Sequence, residues 1–599
     1  MDRRGTSSVV ETEATTAPPS IEDWTAIPWR TLEVRVFRLQ KRIFRAQRRG
    51  NVRAVHSLQR LLMKSWSARA IAVRRVTQDN RGKKTAGVDG VKAVSALVRL
   101  LFVERLRHQA SIRAQPVRRV LIPKPGKPAE VRPLGIPVLL DRAHQCLATL
   151  ALEPQWESRF EANSYGFRPG RSCHDAIGAI YLSIKQKAKY VLDADIRSCF
   201  DEIDHQALLA KLDTCPTLRR AIKAWLKAGV LHDGVWSATA SGVPQGGTIS
   251  PLLCNVALHG MEQVAAASYP HGGTRPQLIR YADDLVVLHP DLAGVEAART
   301  ALEQWLGGIG LEFKPSKTNV THTLSPYQGR VGFDFLGWSV RQFPVGKTHT
   351  GKDTTGRPLG FKTLIRPSNE AIKRHTTALG TVIRRHRTVP QGDLIARLNR
   401  KIGGWANYHR AVVAKAAYQA CDYHLYHQLR RWCIRRHPRK GRKWIVAQYW
   451  RPSATHRWTF ATPTGVTLRL HTDVPIRRHA KVRGDASPFD GNLIYWALRR
   501  RDHPQTGTTL GRLLRRQGGR CAGCGLLFRP EDVVEIDHVT PTAHAGPDTG
   551  TNKQALHRHC HDRKTADDGS CQAKIRRGIR DKDQTVEEPD DANVSRPVL

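Results

Sequence analysis

The run Leu278-Ile-Arg-Tyr-Ala-Asp-Asp-Leu-Val-Val-Leu288 limits the possible folds of this chain more than any other stretch of its 599 residues. Two β-type segments flank Ala282-Asp283-Asp284, and the pattern predicts a hairpin that carries adjacent carboxylates at its tip. Alone, such a pair also fits an ordinary solvated turn. The chain has two more, Asp567-Asp568 and Asp590-Asp591, in stretches that read as loop and tail. Upstream, Tyr190-Val-Leu-Asp-Ala-Asp195 reads as a strand that ends in an acid, so Asp195 offers a third carboxylate on a strand able to lie beside the hairpin. Phosphoryl transfer by a two-metal site needs several carboxylates within reach of divalent ions about 3.5–4 Å apart. Asp suits magnesium, which prefers hard oxygen ligands. Composition names the partner of such a site. Lys and Arg total 97 against 52 Asp and Glu, a net charge of +45, which repels itself unless a polyanion shares the surface.

The rest of the chain divides around this centre. Residues 1–25 read as a disordered tail, and 26–115 read as helical, with Leu32, Val36, Leu39 and Ile43 at spacings of three and four. Short β runs alternate with helices from 116 to 345, the pattern of an α/β core. From about Arg366 to Lys443 the pattern is helical and basic, and its last helix puts Tyr418, Cys421, Leu425, Leu429 and Trp432 on one face. A Pro/Thr-rich, weakly periodic stretch follows at 446–510, then a small Cys/His segment at 511–575 and an acidic, disordered tail at 576–599. No apolar run approaches the ~20 residues of a membrane span, and Met1–Asp23 has no hydrophobic signal core, so no membrane partner is expected. Eleven cysteines in a chain of this length do not make a disulfide framework.

Two further features surround the carboxylates. Phe200, five residues past Asp195, is expected beneath an incoming sugar, where a bulky ring excludes a 2′-hydroxyl; a plain core aromatic is the alternative. The stretch Ala240-Ser-Gly-Val-Pro-Gln-Gly-Gly-Thr-Ile-Ser-Pro251 has glycines that permit close backbone approach to a nucleotide, and Gln245 offers it an amide. An ordinary Gly/Pro turn is the alternative there.

Asp195, the Pro-Gln-Gly block, Tyr281-Ala-Asp-Asp284, Lys317 in Leu311-Glu-Phe-Lys-Pro-Ser-Lys317, and Phe333-Asp-Phe-Leu-Gly-Trp338 resemble reverse transcriptases in order and spacing. More narrowly, the chain resembles bacterial group II intron-encoded proteins. That narrowing rests on Lys84-Thr-Ala-Gly-Val-Asp-Gly90, Ile122-Pro-Lys-Pro-Gly-Lys-Pro-Ala-Glu-Val-Arg-Pro-Leu-Gly-Ile136 and Tyr165-Gly-Phe-Arg-Pro-Gly-Arg-Ser172. It rests also on Ile402-Gly-Gly-Trp-Ala-Asn-Tyr-His409, which is similar to the maturase or thumb signature. The resemblance spans roughly residues 26–570. It implies a multidomain α/β protein: a right-hand polymerase with α/β fingers and palm over 116–345, a fingers extension over 26–115, a helical thumb or maturase region over 346–445, and a DNA-binding linker region over 446–510.

By that resemblance Asp195, Asp283 and Asp284 bind two Mg²⁺ ions, and Lys124 and Arg132 hold the dNTP triphosphate. Lys127 lies near enough to leave the register of that loop open. Lys317 is expected beside the leaving pyrophosphate. Arg168 and Arg171 are expected on template or intron RNA. Arg430, Arg431, Arg435, Arg436, Arg439 and Lys440 are expected on phosphates of intron RNA or target DNA. A solvated surface charge is the alternative for each basic residue. The implied activities are RNA-directed DNA polymerase, intron maturase and DNA endonuclease serving intron mobility. The implied partners are the chain's own intron RNA, target DNA and dNTPs, met in the cytoplasm and at the nucleoid of a bacterial host. The rival readings are a non-catalytic RNA-binding splicing factor and another bacterial reverse transcriptase class. The intact carboxylates count against the first, and Trp405-Ala-Asn-Tyr408 with the Cys/His segment counts against the second.

That last segment holds Cys521-Ala-Gly-Cys524, Glu535-Ile-Asp-His538, Asn552 and Leu556-His-Arg-His-Cys-His-Asp-Arg-Lys564. Cys521, Cys524, His557 and Cys560 form a C-x₂-C…H-x₂-C set suited to a tetrahedral structural zinc. His559 is a rival ligand, disfavoured because it adjoins Cys560. The segment resembles HNH endonucleases, a small ββα-metal fold, with His538, Asn552 and His561 at the signature positions. Many relatives carry a second C-x₂-C; here His557 stands where its first cysteine falls, and imidazole can replace thiolate at zinc. The resemblance implies His538 as general base, Asp537 and His561 as ligands of a catalytic Mg²⁺-type divalent ion, and Asn552 orienting the loop or His538 itself. Neighbouring strand residues face opposite sides, so Asp537 and His538 share this task only where the strand breaks or bends. A zinc-stapled DNA-binding knuckle without cleavage is the alternative.

Overall fold

A computed structural model describes residues 23–569, except 93, 112, 125–126, 270–272, 347, 454–455 and 531, and except the side chains at 81, 109–111, 124, 127–129 and 508. The expected acidic tail from 576 onward, and the expected N-terminal tail as far as residue 22, lie outside the described residues. At the edge of that N-terminal tail Trp24 is already buried, and its indole N–H donates to Gln78 Oε1 at 2.7 Å.

Three helices, Trp29–Arg48, Val52–Lys64 and Trp66–Arg74, form an N-terminal layer. Leu32, Val36 and Ile43 are buried along the face that the spacing predicts, and Leu39 is half-buried against the same core. The layer packs on helix Leu139–Glu157, where the buried Gln40 amide donates to Leu150 O at 3.0 Å and the Gln59 amide to Gln155 Oε1 at 2.7 Å. A buried amide left unpaired costs about 1–3 kcal/mol, so these two bonds fix how the helices meet.

A four-stranded sheet has the spatial order Lys127–Ile136, Val117–Lys124, Val230–His232, Val235–Ser237. A second sheet is antiparallel throughout, in the order Gln277–Tyr281, Asp284–His289, Tyr190–Asp195, Asn319–His322. Its strand Asp284–His289 is buried on both faces, which explains the unbroken apolar run in the sequence. Leu285 and Val287 join a core with Val295 and Leu302 of helix Leu292–Gly307. Val286 and Leu288 join another with Ile177 and Ile180 of helix Cys173–Ile184.

Downstream, strands Phe333–Phe335, Trp338–Pro344 and Phe361–Pro367 form a three-stranded sheet, followed by helices Asn369–Arg385, Gln391–His409 and Lys415–Arg436. The last of these buries Tyr418, Cys421, Leu425, Leu429 and Trp432 along the face its pattern predicts. Tyr408 ties this helical layer to the sheet: its ring stacks on Trp338 at 4.4 Å and its hydroxyl donates to Leu336 O at 2.9 Å.

The stretch 446–510 packs back on the centre of the molecule rather than hanging free. Asp175, wholly buried, accepts from Val482 N at 2.7 Å and from Arg499 Nη2 at 2.8 Å, and meets His479 Nε2 at 3.0 Å. Phe489 reaches the N-terminal layer and clusters with Phe37 and Phe44. The Cys/His segment then forms strands Val534–His538 and Lys553–His557 and helix Arg558–Asp567, a ββα unit. No helix among the described residues is long and apolar enough to cross a membrane.

Candidate active sites and nucleic-acid surface

The central sheet brings the three expected carboxylates together. Asp195 is paired directly with Asp284 across neighbouring strands, and Tyr281 pairs with Asp284 across the hairpin. Ala282 and Asp283 make the two-residue turn, with Ala282 at φ +57°, a left-handed conformation that costs an L-residue about 1–2 kcal/mol. Burial, then the Asp195 charge, raises the pKa of Asp283; burial, then Asp283 and Asp195, pushes Asp284 up to about 8. Lys317 ion-pairs with Asp195 from the next loop, whose Lys314 N–H donates to Asp195 O at 2.8 Å. Burial works against the Lys317 charge, and the three carboxylates outweigh it, so its pKa stands above the ordinary lysine value.

The strained tip is held by residues that sequence reasoning missed. Arg280, fully buried, donates to Asn255 Oδ1 at 3.0 Å, Ala282 O at 3.1 Å and Ser164 Oγ at 2.9 Å. Asn255 donates in turn to Gly166 O at 2.8 Å. A Cβ on Gly166 would lie 2.3 Å from Ala282 N, so only glycine lets this loop lie against the turn. The available signal was a charged residue inside an apolar strand, Leu278-Ile-Arg-Tyr281. Asp193, two residues before Asp195, was also missed; burial, Asp334 and Asp195 push it up to about 7.

The nucleotide-side residues lie around this centre. Phe200 is half-buried and meets Phe167 edge-on at 5.9 Å, while its carbonyl accepts from Val243 N at 2.6 Å. The backbone carbonyl of Gln245 accepts from Gly135 N at 2.7 Å, and its amide faces Asp201 Oδ2 at 3.4 Å. Gly246 has φ +121°, and a Cβ there would meet Gly135 O at 2.7 Å, so this junction requires glycine. Arg132 is exposed on its strand, and its charge favours ionised Asp283. Lys124 ends its strand, and its side chain lies outside the described residues.

Two expected RNA contacts are corrected. Arg168 has a side chain only 1% exposed, forked onto Glu157 at 2.8 and 3.0 Å and donating to Glu161 O and Ser164 O. Arg171 donates to Ala162 O and Gly484 O, both at 2.8 Å, and burial lowers its pKa to about 10. Both guanidiniums are buried and engaged by protein partners rather than facing solvent. Arg436 departs from expectation in part: it donates to Arg387 O and Val389 O and lies 4.5 Å from the Trp432 ring centre. Arg431 donates to His427 O at 3.3 Å. Arg435, Arg439 and Lys440 are exposed, and Arg430 and Lys440 line a cavity of about 170 Å³ with Tyr426 and Trp450.

In the ββα unit Cys521, Cys524, His557 and Cys560 offer ligand atoms all within 4.8 Å of one another, a set that can hold a metal ion. His557 turns Nδ1 toward Cys524 Sγ at 3.3 Å and Nε2 toward Asp532 Oδ2 at 3.2 Å. A metal-bound imidazole with a carboxylate on its other nitrogen has this orientation. His559 faces away, toward Glu33. Asn552 closes the loop after His538, accepting from Thr540 N and donating to Thr540 O, both at 2.9 Å.

His538 ends its strand, the chain bends at 539–540, and Nε2 meets Asp548 Oδ1 at 2.9 Å. Asp537 points toward the helix, where His561 Nε2 lies 3.7 Å from Oδ1 and Lys564 Nζ 3.0 Å from Oδ2. Glu535, two residues earlier on the same face, meets His561 Nδ1 at 2.8 Å. Asp548 and Glu535 were not singled out from sequence, because only the folding of the loop and the packing of the helix on the strand bring them to His538 and His561.

Four family models match in chain order: the N-terminal domain of reverse transcriptase over residues 24–106, reverse transcriptase (RNA-dependent DNA polymerase) over 122–340, the group II intron maturase-specific domain over 372–450, and HNH endonuclease over 521–567. Protein YkfC of Escherichia coli K12 is 34% identical over 324 residues, which cover 47% of this chain and 82% of that protein. The group II intron-encoded protein LtrA of Lactococcus lactis is 40% identical over 152 residues, 25% of each chain. Maturase-like protein 1 of Euglena gracilis is 26% identical over 312 residues, 51% of this chain and 63% of that one.

Proposed function

The chain belongs to the group II intron-encoded proteins that join a reverse transcriptase, a maturase and an HNH endonuclease in one polypeptide, and we propose that it acts as a ribonucleoprotein with its own intron RNA, copying that RNA into target DNA. One observation carries the polymerase reading: Asp195 pairs with Asp284 beside the turn residue Asp283, with Lys317 ion-paired to Asp195. In this reading the central sheet is the palm, the sheet of strands Val117–Lys124 and Lys127–Ile136 belongs to the fingers, and the helices from Asn369 to Arg436 are the thumb.

Asp195, Asp283 and Asp284 would hold two Mg²⁺ ions, whose chemistry is to activate the attacking primer oxygen and stabilise the leaving one. The raised pKa values of Asp283 and Asp284 support this, since crowded carboxylates are relieved by a cation. Arg132 and Lys124 hold the triphosphate, and Lys317 supplies positive charge where negative charge builds on the leaving group. Phe200, held by Phe167 and Val243, excludes a 2′-hydroxyl, and Gln245 positions the base. Phe200→Ala is expected to admit ribonucleotides.

At the other end, zinc on Cys521, Cys524, His557 and Cys560 would staple the ββα module, whose small core cannot hold it alone. His538, oriented by Asp548, takes a proton from the attacking water. Asp537 and His561 would ligate a divalent ion that stabilises the departing oxygen. Arg430, Arg435, Arg439 and Lys440 meet phosphates of intron RNA or target DNA, and the site of action is the bacterial cytoplasm and nucleoid. The test is to mix the purified chain with the intron RNA encoded around its reading frame, then assay splicing, cDNA synthesis and nicking of target DNA. All three are expected. Splicing without cDNA in Mg²⁺ would favour the non-catalytic splicing factor.

A further inference from the structure

The ββα unit is seated on the N-terminal helices, and the contact begins at the proposed zinc set. Asp532, which faces His557 Nε2, has a side chain only 6% exposed. It accepts from Arg529 N at 2.6 Å and from the Arg529 guanidinium at 3.2 Å. That guanidinium lies 3.9 Å from Glu33 Oε2 and 5.1 Å from the ring centre of Phe37, both on helix Trp29–Arg48. A second route is parallel to the first. His559 stacks on His557 at 5.1 Å with planes 10° apart, and its Nδ1 faces Glu33 Oε1 at 3.4 Å. Both routes leave from one imidazole and meet at one carboxylate.

Helix Arg558–Asp567 has two working faces. His561 and Lys564 turn toward Asp537 in the nuclease cluster. His559 and Asp562 turn toward the N-terminal layer, where Arg74 Nη2 meets Asp562 Oδ2 at 3.3 Å, and Arg558 donates to Asp79 O at 3.2 Å. Arg74 itself is only 7% exposed and lies 4.5 Å from the Trp29 ring centre. Charged groups this buried are favourable only while their partners stay in place, so the seat is specific and depends on the exact positions of Arg529 and His559.

We infer that metal loading of the Cys521/Cys524/His557/Cys560 set locks the nuclease module onto the N-terminal helices, through a docking surface of Arg529, Arg558, His559 and Asp562 that fits Glu33, Phe37, Arg74 and Asp79 of the same chain. A metal on this set would hold the His557 ring with Nε2 facing Asp532. It would thereby fix Asp532, Arg529 and the stacked His559. Without the metal, the module keeps a small core of Leu513, Leu514, Cys521, Phe528, Ala555 and Leu556, with Leu510 and Val534 packed against it, too small to hold the loop carrying Arg529 in register. The inference rests on the zinc assignment proposed above.

Hydrogen–deuterium exchange of the full chain, before and after chelation with EDTA, reads the coupling, with zinc content assayed on the same samples. Chelation is expected to speed exchange in 521–560 and also in the covered amides of Trp29–Arg48. For the latter the expected factor is about tenfold, equivalent to about 1.4 kcal/mol of lost docking. Glu33→Lys sets a cation against Arg529 and Arg74 and should speed the same N-terminal amides while keeping one zinc per chain. Unchanged exchange in Trp29–Arg48 after complete zinc loss overturns the coupling, as does wild-type protection in Glu33→Lys. Absence of zinc from chain purified without chelators would instead overturn the zinc assignment itself.

Discussion

Burial and the neighbouring Asp283 and Asp195 push the pKa of Asp284 up to about 8 from 3.8 in the metal-free protein. The sign of the consequence follows from linkage. Below pH 3.8 folded and unfolded chains both carry the proton and the position costs nothing. As pH rises toward about 8 the unfolded chain ionises freely while the folded one resists, so stability is lost across that window. Without metal, wild type should therefore melt progressively lower than Asp284→Asn between about pH 4 and 8, by several degrees at the top. Added Mg²⁺ should close the gap. Thermal melts of both proteins against pH check this; a gap that ignores both pH and Mg²⁺ would remove the carboxylates from the metal site. These three acids were legible in the sequence because strand alternation and a two-residue turn fix where they point. Arg280, Asn255 and Gly166 were not, because their contacts join strands and loops far apart in the chain. Arg168 misled for a related reason. A basic Gly/Pro loop looks exposed until Glu157, at the end of a helix, is brought against it.

The irregular stretch after residue 446 is the element least legible in sequence. It has almost no periodicity because hydrogen bonds to Asp175 and Arg171 hold it, and such bonds leave no repeat in the residues. Asp175 also completes the cap of helix Cys173–Ile184 with Ser172, so one carboxylate secures two elements. The facing His479 and Arg499 more than offset its burial and hold its pKa below the usual carboxylate range. Asp175→Asn is expected to cost about 3–5 kcal/mol, the range for breaking a buried ion pair on one side, and to free 479–499 to proteolysis. Urea denaturation measures the first; a loss under about 1 kcal/mol would mean the strap is held elsewhere. The buried face of helix Lys415–Arg436, by contrast, was legible in sequence, because it is set by the helix's own period. Its basic end makes a separate prediction. Every phosphate left without its cation lowers the slope of log K against log salt by about 0.7–0.9. Neutralising Arg430, Arg435, Arg439 and Lys440 together should weaken RNA binding and flatten that slope, whereas an unaltered slope would make this end a solvated surface. Arg436 is left out because its guanidinium already serves the loop carbonyls.

At the scale of the whole molecule, two catalytic units share one chain, and their failures should separate. Cys524→Ser is expected to lose zinc and unfold the module from about Gly511 onward, while primer extension on RNA persists. His538→Ala should keep its zinc and its primer extension yet lose at least about a hundredfold in DNA nicking, the scale of a positioned general base. Nicking by His538→Ala at the wild-type rate would move the base to another residue. The measurement that bears most directly on the polymerase is extension of a DNA primer on an RNA template in Mg²⁺, comparing wild type with Asp284→Asn. Wild type should incorporate dNTPs, and Asp284→Asn should bind the same template with unchanged affinity and incorporate nothing measurable. Incorporation by Asp284→Asn at the wild-type rate would contradict the assignment of Asp195, Asp283 and Asp284 as the site of DNA synthesis.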